Sequence, residues 1–304
     1  KHAVSGGIGL FIAFIGLKNV GLIVPDEATY VAIAPDLTDP GILLAVFGLL
    51  VTVLLMVRKV KGAIFYGMIA TAIVGMAFGL VEIPKGIVQA PPSLAPTFLQ
   101  MDIWGALELG LFSIIFAFLF VDLFDTAGTL IGVANQAKLL KDGKLPRANR
   151  ALMADSIATM SGAGLGTSTV TSYVESTAGV AAGGRTGMTA VVTACLFVIS
   201  IFFFPLVESF AAVSAITSPA LIIVGVLMAR SFREIEWHEL DEAVPAFLTL
   251  IFMPLASSIA TGIAVGFIIY PLAKVFAGKW RKVHPIVYAL GVIFILRFIF
   301  LGSL

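Results

Sequence analysis

Apolar runs of bilayer-spanning length follow one another along most of this sequence. They cover about 4–24, 41–57, 62–81, 105–137, 148–165, 187–210, 215–231, 241–254, 256–277 and 284–302. Because a helix crosses the hydrocarbon core of a membrane with about 20 apolar residues, these runs predict an all-α polytopic membrane protein. The run 241–254 is short for a span, so we expect it to be tilted or buried against protein. The run 284–302 contains Arg297 and is expected either to span or to lie along the membrane surface.

Composition narrows the class of protein further. Only 12% of the 304 residues are charged, about half the share found in soluble domains. The net charge of +1 argues against nucleic-acid binding, which requires a basic face. The three histidines lack metal-ligand spacing, so we expect neither a metal nor a cofactor. Basic clusters after four of the runs are expected on the cytoplasmic side of the membrane and so orient the chain. We expect a multi-pass protein of the plasma (inner) membrane, with the lipid bilayer as its surroundings.

Two acids lie inside the apolar run 105–137. Asp122 and Asp125 are three residues apart, so a helix places them on one face, which Phe118 and Thr129 continue. An acid within a span costs at least about 2.5 kcal/mol, and a pair of them predicts a polar cavity for a substrate or a proton. The competing interpretation is a pair of acids near the water interface that caps the helix or pairs with lysines. Asp155, in run 148–165, either supports such a site or bonds to a neighbouring helix.

The segment 162–179 differs from an ordinary span. Its glycines are followed by hydroxyl and β-branched residues up to Tyr173, a composition that favours an extended strand. Glu175 then opens a short helix, whose first turn exposes N–H groups to a ligand. Because extended backbone at membrane depth is tolerated only where it lines a cavity or is buried in protein, the segment predicts a ligand site. The alternative is a Ser/Thr/Gly loop outside the membrane. The acids of 234–242 are expected to be solvated at loop ends.

These regions resemble signatures of the nucleobase–cation symporter family two, which contains the xanthine and uracil permeases. The similarity is to its adenine–guanine–hypoxanthine permease branch. It is carried by VDLFDTAGTLIG at 121–132, NRALMADSIAT at 149–159, GTSTVTSYVESTAGVAAGGRTG at 166–187 and GIGLFIAFIGLKN at 7–19. The strings are long and specific, and the resemblance covers essentially the whole chain.

The resemblance implies a seven-plus-seven inverted-repeat transporter with a core domain and a gate domain. Residues 1–104 then correspond to the first half of the gate (segments 5–7), 105–212 to the second half of the core (segments 8–11) and 213–283 to the second half of the gate (segments 12–14). Residues 284–304 remain as a C-terminal apolar helix, spanning or interfacial. Segments 1–4, with the first half of the binding site, are absent by this comparison. Segment 10 is implied to be a short strand plus a half-helix, at which substrate binds.

The resemblance also implies which residues form the site. Asp125 matches the carboxylate of segment 8, and Glu175 matches the acid or amide of segment 10, whereas Asp122 has no counterpart in the shorter uracil-permease pattern. Substrate contacts are expected from Asp125, Glu175, Thr169, Tyr173 and Phe118, proton coupling from Asp122, Asp125 and Glu175, and support from Asp155, Thr129 and Gly128.

The expected function is import of a purine nucleobase (hypoxanthine, guanine or adenine) by proton symport with alternating access. Protons are favoured over sodium, and a homodimer is one expected assembly. The alternative is an anion transporter of the sulfate-permease type on the same fold, which needs a net positive site and is opposed by Glu175. An intramembrane aspartyl enzyme would need Asp122 or Asp125 to contact Asp155 and leaves the Ser/Thr segment without a role, so we do not expect an enzyme.

Overall fold

Helices make up nearly all of the regular structure in the computed structural model, which describes residues 2–83, 86–91, 93–106, 112–141 and 143–300. Within these ranges, side chains are described except at 106, 112–114, 116–118, 120, 121, 124 and 300. The helices are α1 His2–Asn19, α2 Pro40–Val57, α3 Ala63–Ala77, α4 Ile103–Ala106, α5 Phe112–Gln136, α6 Ala148–Leu165, α7 Ser176–Ala181, α8 Gly187–Ser200, α9 Phe204–Ala211, α10 Ser214–Met228, α11 Leu240–Leu255, α12 Ile259–Phe276 and α13 Pro285–Phe300. Short 3₁₀ turns cover Ile201–Phe203, Ala229–Glu234 and Trp280–Lys282.

The long helices lie where the apolar runs predict them. Among the described residues, 4 helical stretches are long and apolar enough to cross a membrane, namely Pro40–Val57, Gly187–Ala211, Ser214–Glu234 and Ile259–Phe276. Two shorter apolar helices cover Ala63–Ala77 and Pro285–Ile299. The prediction of a mainly helical, multi-pass membrane protein is therefore confirmed.

Helix α1 ends earlier than the apolar run from which it was predicted. Gly21 adopts a left-handed φ of +80°, and the N–H of Leu22 donates to the carbonyl of Leu17 at 3.1 Å. This glycine-based turn satisfies the last carbonyls of the helix and reverses the chain. The residues that follow form β1 (Ile23–Val24), which pairs antiparallel with β2 (Ala32–Ile33).

Contacts between residues divide the chain into two compact units. The first contains Lys1–Phe11, Ser93–Val174 and Met228–Leu304, and the second contains Ile12–Pro92 and Glu175–Leu227. In the first unit, α11 and α12 form a hairpin against which α5 and α13 pack. Its interior includes Met253, Ala260, Ala264 and Phe294, each 0% exposed.

The second unit is built on the α2–α3 hairpin. The Thr52 hydroxyl donates to the carbonyl of Gly48 at 2.7 Å, and the Thr71 hydroxyl donates to that of Gly67 at 2.7 Å. Each threonine also faces the glycine of the other helix, because a Cβ on Gly67 would collide with Thr52 and one on Gly48 with Thr71. Small residues at such contacts let helices within a membrane approach closely. Helix α8, by contrast, is apolar although none of its residues is buried.

A charged cluster joins the start of α11 to the end of α12. Lys274 Nζ donates to Asp241 Oδ2 at 2.8 Å, and Lys279 Nζ donates to Glu239 Oε2 at 2.9 Å and to Asp241 Oδ1 at 3.1 Å. Asp241 is 8% exposed and Lys274 is 5% exposed. The expectation that the acids of 234–242 are solvated is therefore wrong for Asp241, because the hairpin brings two lysines to it.

The predicted strand before the half-helix is also corrected. Residues 167–173 are neither helical nor assigned to a strand, because no other described segment pairs with them in a β-ladder. An isolated extended stretch has no ladder hydrogen bonds to define it. The short helix that was predicted after Glu175 is present as α7, Ser176–Ala181.

Candidate functional site

Two glycines hold α5 close to its neighbours in the first unit. A Cβ on Gly128 would lie 3.1 Å from Ile263 Cδ1 and 3.4 Å from Val4 Cγ1, and one on Gly132 would lie 3.0 Å from Met228 Cε. The close contact with α1 and α12 sets the rotation of α5 about its axis. Gly128, which was expected to support the site, is thus a helix-packing position that orients the acids of the two preceding turns.

The hydroxyl-rich segment 167–173 leaves α6 through a glycine turn. Gly166 has a φ of +82°, and the N–H of Thr167 donates to the carbonyl of Gly162 at 2.9 Å. Further along, the Thr159 hydroxyl donates to the carbonyl of Val170 at 2.9 Å. These two bonds keep the segment against the end of α6 although it has no regular secondary structure.

A hydrogen bond connects this segment to the acidic helix. Thr169 Oγ1 donates to Asp122 Oδ1 at 2.7 Å, a length typical of a hydroxyl bound to a carboxylate. On α6, the Asp155 carboxyl interacts with the Ser172 hydroxyl and with the charge of Asp122. Helices α5 and α6 and the segment 167–173 therefore contribute to one cluster of carboxylates and hydroxyls.

Two threonines of α5, the helix that carries Asp122 and Asp125, are buried. Thr126 is 1% exposed and Thr129 is 3% exposed. The buried Thr126 hydroxyl is directed at the Asp155 carboxyl. It therefore belongs to the same polar cluster and adds a hydroxyl group to it.

Asp125 lies beside the first turn of α12. Its Oδ1 is buried and has no hydrogen-bond partner in the part of the chain that the structure describes. The N–H of Ala260, at the second position of α12, is directed at the carboxylate. A helix N-terminus favours negative charge. The guanidinium of Arg297 attracts the same carboxylate, and Asp122 repels it.

The remaining predicted ligands are Tyr173, Glu175 and Phe118. Tyr173 is 64% exposed at the end of the hydroxyl-rich segment. Glu175 is exposed and belongs to the second unit, where it precedes α7. The side chain of Phe118 lies outside the described residues. Among the predicted residues of the first unit, the structure brings together Asp122, Asp125, Asp155 and Thr169.

The burial or pairing of some polar groups near α5 was not predicted from the sequence. Arg297 is only 5% exposed in the last turns of α13. The Ser231 hydroxyl donates to Ser5 Oγ at 2.9 Å, and the Asn135 side chain donates to Ser231 Oγ at 3.4 Å. A polar residue within an apolar helix is the signal that could have identified each of them. Their partners could not be identified in the same way.

Comparison with known proteins places the chain among transporters. The profile of the Permease family matches residues 1–265. Over 304 residues the chain is 54% identical to a permease of Methanocaldococcus jannaschii, an alignment that covers 100% of the chain and 69% of the relative. It is 53% identical over 303 residues to the guanine/hypoxanthine permease PbuG of Bacillus subtilis, with 99% and 68% covered. It is 43% identical over 300 residues to the adenine permease AdeQ of Escherichia coli, with 98% and 67% covered.

Proposed function

Because the chain belongs to the Permease family, whose members are transporters and not enzymes, we propose that it carries purine nucleobases across the plasma membrane. Hypoxanthine, guanine and adenine are the substrates proposed. The support is that relatives at 53% and 43% identity are named guanine/hypoxanthine permease and adenine permease.

The observation on this chain that carries the proposal is the bond from Thr169 to Asp122 at 2.7 Å. It sets the carboxylates of α5 beside a segment rich in hydroxyl groups. A purine base is flat and neutral, with N–H donors and ring-nitrogen acceptors along its edges. Carboxylates accept from the N–H groups, whereas a hydroxyl such as that of Thr126 can donate to a ring nitrogen. A few converging polar groups on an apolar scaffold are typical of a small-molecule site.

We assign substrate contact first to Asp125 and Glu175, then to Thr169, Tyr173 and Phe118. Proton coupling is assigned to Asp122, Asp125 and Glu175, with Asp155, Thr129 and Gly128 in support. Carboxylates in an apolar surrounding bind protons more tightly than in water, because burial disfavours the charged form. That property suits proton symport and favours protons over sodium.

The proposed architecture is a gate that moves against a core to give alternating access, within an inverted seven-plus-seven repeat. Residues 1–104 and 213–283 would belong to the gate and 105–212 to the core, with 284–304 as a C-terminal apolar helix. A threonine–glycine contact that occurs in two helix hairpins supports an internal repeat. Thr249 in α11 donates to the carbonyl of Pro245 at 2.8 Å and faces Gly266 of α12, as Thr52 in α2 faces Gly67 of α3. A homodimer is a further part of the proposal.

The alternative of a sulfate-permease-type anion transporter is less well supported. Three carboxylates, Asp122, Asp125 and Asp155, lie in or beside the site, and a negative site repels an anion. Two of the relatives reported above, PbuG and AdeQ, are named as nucleobase permeases. Although Asp122 and Asp155 come from different helices and interact, as an aspartyl enzyme would require, the family consists of transporters.

Uptake of radiolabelled hypoxanthine by cells that produce the full-length permease tests the proposal. Asp125→Asn and Glu175→Gln are each expected to reduce uptake at least about tenfold, because an amide cannot take up the proton and offers one acceptor oxygen where a carboxylate offers two. Asp36→Asn is the matched control, since that exposed carboxylate bonds only within its own loop, to Thr38. Wild-type uptake by both site variants would overturn the assignment, and uptake of sulfate but not of purine would favour the anion transporter.

A further inference from the structure

Helix α13 contains a buried charged residue that has no role in the proposed transport site. Arg297 is 5% exposed, and its Nη1 has no hydrogen-bond partner among the described residues. An unpaired guanidinium in a low-dielectric interior is strongly unfavourable. A charge at this position therefore needs a counterpart.

The packing of α13 on α12 directs Arg297 towards that counterpart. The rings of Phe267 on α12 and Phe294 on α13 have centroids 5.9 Å apart, and a Cβ on Gly291 would lie 2.9 Å from the Phe267 carbonyl oxygen. Because the two helices are joined by a short connection and run in opposite directions, the end of α13 lies beside the beginning of α12. The beginning of α12 is where the N–H of Ala260 meets the Asp125 carboxylate.

Two buried and unpartnered atoms of opposite charge thus belong to one neighbourhood. Asp125 Oδ1 and Arg297 Nη1 each lack a hydrogen-bond partner in the described ranges, and the two groups attract each other electrostatically. Within the described residues, Asp125 is the acidic side chain whose charge acts on Arg297.

We propose that Arg297 is a positioning residue of the transport site, and that its guanidinium is the counter-charge of Asp125. The inference rests on the proposed function. While Asp125 is ionised, the guanidinium holds its carboxylate beside the start of α12. When Asp125 takes up a proton from water, the attraction is lost and the carboxyl group is free to turn towards the substrate.

The surroundings of Asp125 define what a change at Arg297 can do. The charged groups that face Asp125 are Asp122 on its own helix and Arg297 on α13, with Asp155 of α6 acting on Asp122. Helix α1 contributes apolar side chains at Gly128, and α12 contributes the N–H of Ala260 and the side chain of Ile263. Arg297 is thus the one full positive charge in this described set.

A double-mutant cycle on the purified full-length protein tests the pair without requiring transport. We expect Arg297→Gln and Asp125→Asn to lower the midpoint of thermal unfolding by amounts that are not additive, with the double variant losing less than the sum. Arg297→Lys should recover part of the loss because it restores the charge. The control is Arg281→Gln, which removes an exposed arginine beside Trp280. Additive losses with no recovery by lysine would mean that Arg297 only fills space, and would overturn the proposal.

The pH dependence of hypoxanthine uptake gives the second measurement. An opposite charge nearby lowers the proton affinity of a carboxyl by about one pH unit or more. Arg297→Gln should therefore shift the midpoint of uptake about one unit towards higher pH, while Arg281→Gln leaves it in place. An unshifted midpoint in Arg297→Gln would contradict the proposal. If the wild type carries no purine at any pH, the proposed function fails, and the stability cycle still decides whether the two charges interact.

Discussion

Replacing Gly67 with alanine should push α2 and α3 apart. The added Cβ would collide with the Thr52 hydroxyl and would lie 3.0 Å from Thr52 Cβ and 3.3 Å from its backbone Cα. The hydroxyl is held by its bond to the Gly48 carbonyl at 2.7 Å, and Thr52 is 1% exposed. A rotation of the side chain alone cannot remove the contact with Cα, so the helices must separate.

The size of the effect follows from two opposing contributions. Overpacking a buried contact costs about 1–3 kcal/mol, and the backbone contact argues for the upper half of that range. Alanine in a helix gains about 0.8–1 kcal/mol over glycine. The net destabilisation is therefore about 1–2 kcal/mol. At about 2–4 °C per kcal/mol for a chain of this size, the thermal midpoint should fall by about 2–8 °C.

Thermal unfolding of the purified protein in detergent measures this fall. Gly187→Ala is the matched control, because Gly187 also lies in a helix but no heavy atom lies within 4 Å of its Cβ position. It should leave the midpoint unchanged or raise it slightly. Thr52→Ala should lower the midpoint of the wild type but raise that of Gly67→Ala, since it removes the atom in collision. If Gly67→Ala behaves as Gly187→Ala does, the packing argument is refuted.

Three further changes have expected outcomes. Lys274→Met removes one of the two lysines that balance the charge of the buried Asp241 carboxylate, so we expect a lower midpoint of thermal unfolding. Adding Asp241→Leu should restore part of that loss. An unchanged midpoint in Lys274→Met would show that the Lys274–Asp241 ion pair does not stabilise the fold. Thr169→Val removes the hydroxyl that donates to Asp122, so the KM for hypoxanthine uptake should rise about tenfold, as loss of a bond to a charged acceptor predicts. Thr169→Ser keeps the hydroxyl and should keep the wild-type KM. Equal KM values for all three proteins would contradict this prediction. The Thr29 N–H donates to Asp26 Oδ1 at 2.7 Å, and this bond holds the pKa of the exposed Asp26 carboxyl below its ordinary value. The stability that this bond contributes is present above the unfolded-state pKa and is lost as pH falls through the lowered folded-state pKa. An NMR titration of Asp26 with its midpoint at the ordinary carboxyl pKa would contradict this prediction.

Much of the helical framework could be read from local sequence. The start of α2 is an example, because Asp39 accepts N–H groups of Gly41 at 2.8 Å and Ile42 at 3.2 Å, with Pro40 in the first position. The glycine-rich end of α6 and the short helix after Glu175 were likewise predictable. Each depends on residues that are neighbours in the chain.

The errors have a different origin. An extended strand was predicted for 167–173 from composition, but a strand also requires a neighbouring segment with which to pair. Asp241 was taken for a solvated acid, since nothing next to it in the sequence indicates that Lys274 and Lys279 converge on it. Helix periodicity shows which residues share a face and does not show what that face meets.

The candidate site likewise has features that the local sequence predicts and contacts that only the tertiary structure defines. The spacing of Asp122 and Asp125 and the hydroxyl-rich composition of 167–173 were enough to predict two elements of a polar site. Their connection through Thr169 spans 47 positions, and the bond between Ser5 and Ser231 spans 226. The electrostatic attraction between Arg297 and Asp125 likewise depends on how α13 packs antiparallel to α12. The lengths and ends of helices are set by interactions between near neighbours, whereas the partner of a buried charge is set by how distant helices pack, and only the folded chain defines that.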